Sequence, residues 1–361
     1  IYLKLLKSIK MQNNFIIEKK KIGDENPCFL IAEIGSNHNR DKNTVFKLID
    51  ASADAGFDAV KFQIYDAKEA FSTKETTKDV GLDHLYGDKP WWEVARDKIL
   101  MPRDWFGEMF DYIRKKGMIP LSAIHRPEDC EFLMNYNLPA IKIASIDFTY
   151  YQLLEKLIKF NLPMIISSGM ADSKEIENTV NFLKKKKINF ALLHCVSCYP
   201  PKAKDLNLNN IINFKNKFHV PVGYSDHFSE KSSAVTAVSL GADIIEKHIT
   251  LDKKYPGPDH HFAIEPIEMK QMVEEIRNVE LMLGKKDRVL SKTELSNRKM
   301  IRRSVVAKKN INKGETITSN NIKFSRPGTG IQTFEFHLIE NKKANKNITA
   351  ETIIKLEMVD E

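Results

Sequence analysis

Charged and imidazole side chains recur in this chain at one kind of position, the closing residues of short apolar runs. Glu33 ends FLIAEIG (29–35), Lys61 and Gln63 end FDAVKFQ (57–63), and Ser122 ends MIPLSA (118–123). Lys142 and Ser145 end AIKIAS (140–145), and Ser167 and Ser168 end PMIISSG (163–169). His194, Ser197 and Tyr199 fall at or after the end of FALLHC (190–195), Ser225, Asp226 and His227 at the end of VPVGYSD (220–226), and Glu246, Lys247 and His248 at the end of DIIEKH (243–248). Charges collected at one end of apolar strands need water, a ligand or each other.

The residue types narrow the chemistry. His227 and His248 end consecutive runs, and two imidazoles with open positions suit manganese, iron, cobalt or zinc better than magnesium. Asp259, on the loop PGPDHH, could support a ligand or substrate. Lys61 and Lys142 with several serine hydroxyls suit a phosphate, since an ammonium is an effective point charge for that group. A catalytic lysine forming a Schiff base is the other use of such a position. The pair Cys195 and Cys198 has CxxC spacing, but with no second pair it is a weak signal for zinc or redox work.

These groups must be held by a scaffold. Near-continuous apolar runs are what parallel strands covered by helices look like. Amphipathic segments at 44–55, 105–116, 173–187, 232–240 and 266–283 alternate with the runs, with Ser173 as the expected N-cap of the third. Eight such units favour a closed (β/α)8 TIM barrel with its site on the C-terminal strand ends. AEIGSNHN does not satisfy GxGxxG, so a dinucleotide fold is a poor fit. Residues 64–100, with Trp91 and Trp92, read as an insertion over the barrel mouth. Residues 285–300 read as a polar linker. The tail from 301 to 361 has short alternating runs broken by KG, SNN and PGTG turns, which predicts a small mostly-β domain.

Composition sets the outer limits. The 361 residues are 42% hydrophobic and 29% charged, enough for a large core. The net charge of +8 is spread along the chain, and no motif marks a nucleic-acid binder. No stretch approaches the ~20 apolar residues of a membrane span. Few cysteines and no cleavable leader lead to the expectation of a reduced, cytoplasmic protein. Residues 1–21 read as a lead outside the fold, with Met11 as a candidate start. The barrel is expected over 22–284.

Several strings together resemble the sialic acid synthase family: IAEIGSNHN (31–39), AGFDAVKFQ (55–63), PAIKIAS (139–145), LLHCVSCYP (192–200), VPVGYSDH (220–227), GADIIEKHITLDKKYPGPDHH (241–261), RRSVVAKKNINKGE (302–315) and SRPGTGI (325–331). The resemblance implies a barrel followed by an antifreeze-like (SAF, β-clip) domain. It implies condensation of phosphoenolpyruvate with an N-acylated hexosamine, N-acetylmannosamine in the first instance or a diacetamido-trideoxyhexose as in legionaminate synthesis. It assigns Glu33, Lys61 and His248 to catalysis and His227 and His248 to a divalent metal, manganese first, with magnesium or cobalt possible. Gln63, Lys142, Ser145, Ser167, Ser197, Tyr199, Ser225 and Asp259 become substrate-binding. It further implies a domain-swapped homodimer, in which Arg326 reaches the N-acyl group. The loop PGPD resembles the neuraminate and legionaminate branches more than the pseudaminate branch. SAIHRPED (122–129) departs from the family's STPFD-like segment, so His125 and Arg126 have no assigned counterpart, and neither does the segment 79–103.

Overall fold

A computed structural model describes residues 15–23, 26–284 and 287–360 of the chain. The sequence expectations for residues 1–10 and for a start at Met11 lie outside the described residues. The chain divides into two compact units, with the boundary after Gly284.

The first unit is a closed barrel of eight parallel strands: β3 (Phe29–Glu33), β4 (Ala59–Ile64), β5 (Ile119–Ile124), β6 (Ile141–Ile143), β7 (Met164–Ser167), β8 (Phe190–Cys195), β9 (Val222–Asp226) and β10 (Ile244–His248). They pair in chain order, and β10 closes on β3. Eight helices of seven or more residues cover them: α1 (Lys42–Ala55), α2 (Phe106–Lys115), α3 (Pro127–Met134), α4 (Tyr151–Leu157), α5 (Ser173–Lys185), α6 (Asn210–Phe218), α7 (Ser232–Ser239) and α8 (Pro266–Leu283).

Local signals explain the helix ends. The Asp41 carboxylate accepts the Asn43 amide at the start of α1, and Gly56 ends that helix at φ 89°, where a side chain would be strained. The N-cap of α5 is Asp172 rather than the expected Ser173. Its carboxylate accepts the amides of Lys174 and Glu175 while Glu175 reaches back, a full capping box, so Ser173 becomes the first helical residue. Pro266 opens α8, where its missing N–H costs nothing.

Strand parity builds two cores. Leu30, Ala32, Val60 and Phe62 face the helices and join the large outer core. Phe29, Ile31, Ala59, Leu121, Ala140, Ile165, Leu193 and Ile244 form a separate inner cluster. The side chains of Phe15, Ile17 and Ile22 belong to that inner cluster too. They come from an antiparallel hairpin, β1 (Phe15–Ile17) and β2 (Lys20–Ile22), which apart from Ile22 lies within residues 1–21, the stretch read from the sequence as a lead. The hairpin therefore completes the barrel core below the first polar layer.

The second unit holds the antiparallel pair β11 (Ser304–Ala307) and β12 (Ile322–Ser325), with further bridges such as Val306–Ile353 and Ile311–Ile348. Its own core comprises Val305, Ile311, Ile317, Ile331, Ile348, Ile354 and neighbours. The polar stretch read as a linker carries helix α9 (Lys292–Ile301), capped by Ser291. Among the described residues no helix is long and apolar enough to cross a membrane.

Candidate active site

The period-two rule that builds the inner cluster also builds the site. Continuing inward from Phe29 and Ile31 gives Glu33, from Ala59 gives Lys61 and Gln63, from Ala140 gives Lys142, from Ile165 gives Ser167, and from Ile244 gives Glu246 and His248. Register then sets neighbours: Glu33 pairs with Lys61 and with His248, and Glu246 with Ser225. The polar layer is thus the next storey above an apolar floor.

The layer is closely wired. Lys61 Nζ lies 2.7 Å from Glu33 Oε2 and 3.7 Å from Glu246 Oε2. Lys142 Nζ lies 3.7 Å from Glu246 Oε1 and donates to Ser167 Oγ at 2.7 Å. Gln63 donates to Glu33 Oε1 at 2.6 Å, and Ser225 Oγ to Glu246 Oε1 at 2.9 Å. All four charged groups are buried. Burial works against ionisation of both glutamates, but the outcomes differ. At Glu33 it outweighs Lys61 and, with the nearby Glu246 charge, raises the carboxyl above its ordinary range. At Glu246, Lys142 and Lys61 outweigh it and hold the carboxyl down at about 2. Burial lowers Lys142, whereas at Lys61 the two glutamates overcome burial and raise it. One carboxylate is fixed as a charge, and the other is poised to exchange a proton.

Above this floor stand the two histidines, with ring centroids 5.3 Å apart. His227 Nδ1 donates to the Val196 carbonyl at 3.3 Å, so that in the neutral ring Nε2 is the free lone pair. His248 Nδ1 is buried with no hydrogen-bond partner and lies 3.9 Å from Asp259 Oδ2. Burial lowers the His248 pKa and favours the neutral, ligand form. Ser36 Oγ donates to Asp259 Oδ2 at 2.8 Å and fixes that carboxylate. A Cβ on Gly35 would meet Asp259 Oδ2 at 3.1 Å and His248 at 3.2 Å, so this close turn at φ +52° needs glycine. The lone pairs fit a divalent cation that keeps open positions. Among the described residues no set of three or more His, Cys, Asp or Glu forms a fuller metal cluster. The Lys247 ammonium points to the outer face, where it bonds Asp226 Oδ2 at 2.8 Å and the carbonyls of Phe228 and Glu230. It thereby clamps the loop that carries His227.

A cavity of about 690 Å³ opens over this layer, within the range of small-molecule sites. Glu33, Lys61, Gln63, Lys142, Ser145, Ser167, Tyr199, Ser225, His227, His248 and Asp259 all line it. Ser197 is not in its wall. Its hydroxyl stands behind Gly169, where an added Cβ would meet it at 2.2 Å, and lies 3.9 Å from Cys195 Sγ. Tyr199 packs on His227 at 4.4 Å. Arg326 belongs to the second unit, where it is exposed and joined to Pro327 by a cis bond. Cys195 lies 3.8 Å from His227 Nδ1, while Cys198 is exposed, and the described cysteines are all free. Sequence reasoning placed Glu246 among the strand-end charges but gave it no role in the site, although its position two residues before His248 on one face could have done so. The segment 67–99 also contributes Phe71, Leu82, Trp91 and Ile99 to the cavity.

A closed parallel barrel with lysines, carboxylates and paired imidazoles at the C-terminal strand ends is the active-site architecture of a TIM-barrel enzyme. The chain belongs to the NeuB family, whose model matches residues 48–288, and residues 302–360 match the SAF domain. It is 36% identical over 329 residues to the N,N'-diacetyllegionaminic acid synthase of Campylobacter jejuni, covering 90% of this chain and 98% of that protein. It is 32% identical over 342 residues to the human N-acetylneuraminate-9-phosphate synthase, covering 94% of each. The crystal structure of the N-acetylneuraminic acid synthetase from Leptospira borgpetersenii, in complex with citrate, is similar at 34% identity and a TM-score of 0.70, covering 78% of this chain and 94% of that chain. The chain is therefore an enzyme of the phosphoenolpyruvate-condensing class that spans sialic, legionaminic and pseudaminic acid synthases.

Proposed function

We propose that this enzyme condenses phosphoenolpyruvate with the open-chain aldehyde of an unphosphorylated N-acylated hexosamine of the N-acetylmannosamine kind, and releases phosphate and a nine-carbon acidic sugar. The observation that carries this reading is the buried layer in which Lys61 and Lys142 share Glu246 beneath the histidine pair. Two ammonium groups beside the Ser145, Ser167 and Ser225 hydroxyls suit the phosphate and carboxylate of phosphoenolpyruvate. C3 of phosphoenolpyruvate bonds to the aldehyde carbon, water adds at C2, and C–O cleavage expels phosphate to leave the 2-keto acid. Glu33, with its raised carboxyl, exchanges a proton with the reacting oxygens. Lys61 and Lys142 hold the phosphate charge as it departs. A divalent cation on His227 and His248, manganese in the first instance and magnesium or cobalt otherwise, supplies Lewis-acid polarisation of the aldehyde when bound.

The outer cavity supports a neutral acceptor. Asp66, Glu69, Glu128 and Asp147 line it against Arg126 and Lys156, and Arg126 is already engaged with Asp129 at 2.9 Å. A sugar phosphate would meet an excess of carboxylates there. A second reading, with a 2,4-diacetamido-trideoxyhexose as acceptor, is supported by the aromatic rings along the same wall. The family resemblance supports a homodimer with exchanged second units, Arg326 serving the N-acyl end of the sugar in the opposite barrel.

The test is phosphate release from phosphoenolpyruvate with manganese across N-acetylmannosamine, its 6-phosphate, 2,4-diacetamido-2,4,6-trideoxymannose and its altrose counterpart, and arabinose 5-phosphate. Release with one unphosphorylated amino sugar, abolished by chelator, is the expected result. Release only with a sugar phosphate, or covalent trapping of pyruvate on a lysine by borohydride, overturns the reading.

A further inference from the structure

His125 lies in the segment that departs from the family's usual one and has no assigned counterpart there, and its surroundings give it work. It follows β5 directly. Its Nδ1 lies 2.6 Å from Asp147 Oδ2. A carboxylate can only accept, so Nδ1 carries the proton, and in the neutral ring Nε2 is then a lone pair. Among the described residues Nε2 has no partner, and His125 lines the cavity. The ring is also the first in a continuous aromatic strip. His125 meets Tyr65 edge-on at 5.4 Å, Tyr65 meets Phe71 at 5.6 Å, and Phe71 meets Trp91 at 5.4 Å. Phe71 and Trp91 belong to a small apolar core of their own with Ala67, Val94, Ala95 and Ile99, so the strip is braced rather than draped. Strip and histidine face the same cavity as Glu33 and Lys61.

A hydrogen-bond acceptor held rigid by a carboxylate, beside an apolar wall, is the complement of one chemical group: an N–H next to a small apolar substituent. We propose that His125, oriented by Asp147, and the Tyr65–Phe71–Trp91 strip form a subsite for a second acylamino group on the acceptor sugar. Nε2 accepts its N–H, and the acyl methyl lies on the rings. The subsite rests on the amino-sugar reading of the cavity and adds to it a preference for a diamino sugar carrying two acyl groups. A lone hydroxyl at that position would satisfy Nε2 but leave the aromatic wall bare, which fixes the direction of the preference.

The experiment compares two sugars that differ at one carbon, 2,4-diacetamido-2,4,6-trideoxymannose and 2-acetamido-2,6-dideoxymannose. Calorimetry on the full chain with manganese reads the affinity of each, and of phosphoenolpyruvate, and phosphate release is followed in parallel. The wild type is expected to bind the diacetamido sugar at least about tenfold more tightly. His125→Phe should abolish most of that preference by weakening the diacetamido sugar alone, with phosphoenolpyruvate affinity unchanged. His125→Gln, which keeps an acceptor oxygen, should recover part of it, and Trp91→Ala should lose it from the methyl side. Equal affinity for the two sugars in the wild type, or a preference untouched by His125→Phe in a folded variant, overturns the subsite. Preference as expected with no phosphate released from either sugar supports the subsite and overturns the reaction proposed for it.

Discussion

Glu33 and Glu246 sit on the same layer of the barrel, share the Lys61 ammonium and titrate in opposite directions. The difference comes from one neighbour. Lys142 reaches Glu246 as well, so Glu246 sees two cations and Glu33 one. Glu246 is thus placed to act as the internal counter-ion of two buried lysines before any anion arrives. This role makes a specific demand on Glu246→Gln. Removing one member of a buried charge cluster typically costs about 3–5 kcal/mol, so the variant should melt below the wild type. Phosphoenolpyruvate, proposed to settle on the same lysines, should restore more of the melting temperature in the variant than it adds to the wild type, because it replaces the missing negative charge. Thermal scans with and without phosphoenolpyruvate read this. An equal upshift in both proteins would remove Glu246 from the counter-ion role.

The elements that carry these residues were legible where apolar pattern and punctuation marked them. All eight barrel strands were readable as apolar runs, because a strand buried on both faces has nowhere to put a polar residue except its end. Helices α1, α2, α5, α7 and α8 were readable from amphipathic spacing and glycine or proline punctuation. The helices α3, α4 and α6 were not: they run only eight, seven and nine residues, and they end at Asn135, Ile158 and His219 without the glycine that marks the end of the equally short α7. The His125–Asp147 pair was hidden for a different reason: its members lie on separate loops 22 residues apart, and only closure of the barrel joins them. The hairpin over Phe15–Ile22 was hidden because IIEKKKI reads as a charged lead. Its three apolar side chains become informative only once the inner cluster is known. Phe15→Ala should therefore behave as a core substitution. A loss of about 3–5 kcal/mol is expected for a buried phenylalanine, visible in chemical denaturation, while the Michaelis constant for phosphoenolpyruvate stays unchanged. A variant as stable as the wild type would show that the hairpin adds nothing to the barrel.

At the scale of the whole molecule the chain is two independently cored units, and each carries a residue expected to serve the same reaction: Glu33 in the barrel and Arg326 in the second unit. In the proposed dimer with exchanged second units, each active site draws Glu33 from one chain and Arg326 from the other. Complementation separates this arrangement from one in which each chain serves itself. Glu33→Gln and Arg326→Ala are prepared separately, and both should be poor catalysts at limiting acceptor. When they are unfolded together and refolded at equal concentration, half of the dimers pair one chain of each kind. In those dimers one site inherits both defects, and the other inherits neither. The mixture should regain about one quarter of the wild-type activity, as expected for random pairing in a two-fold assembly. If each chain supplied its own Arg326, every site would keep one defect and mixing would restore nothing, which would overturn the exchanged arrangement while leaving the chemistry of the barrel as proposed.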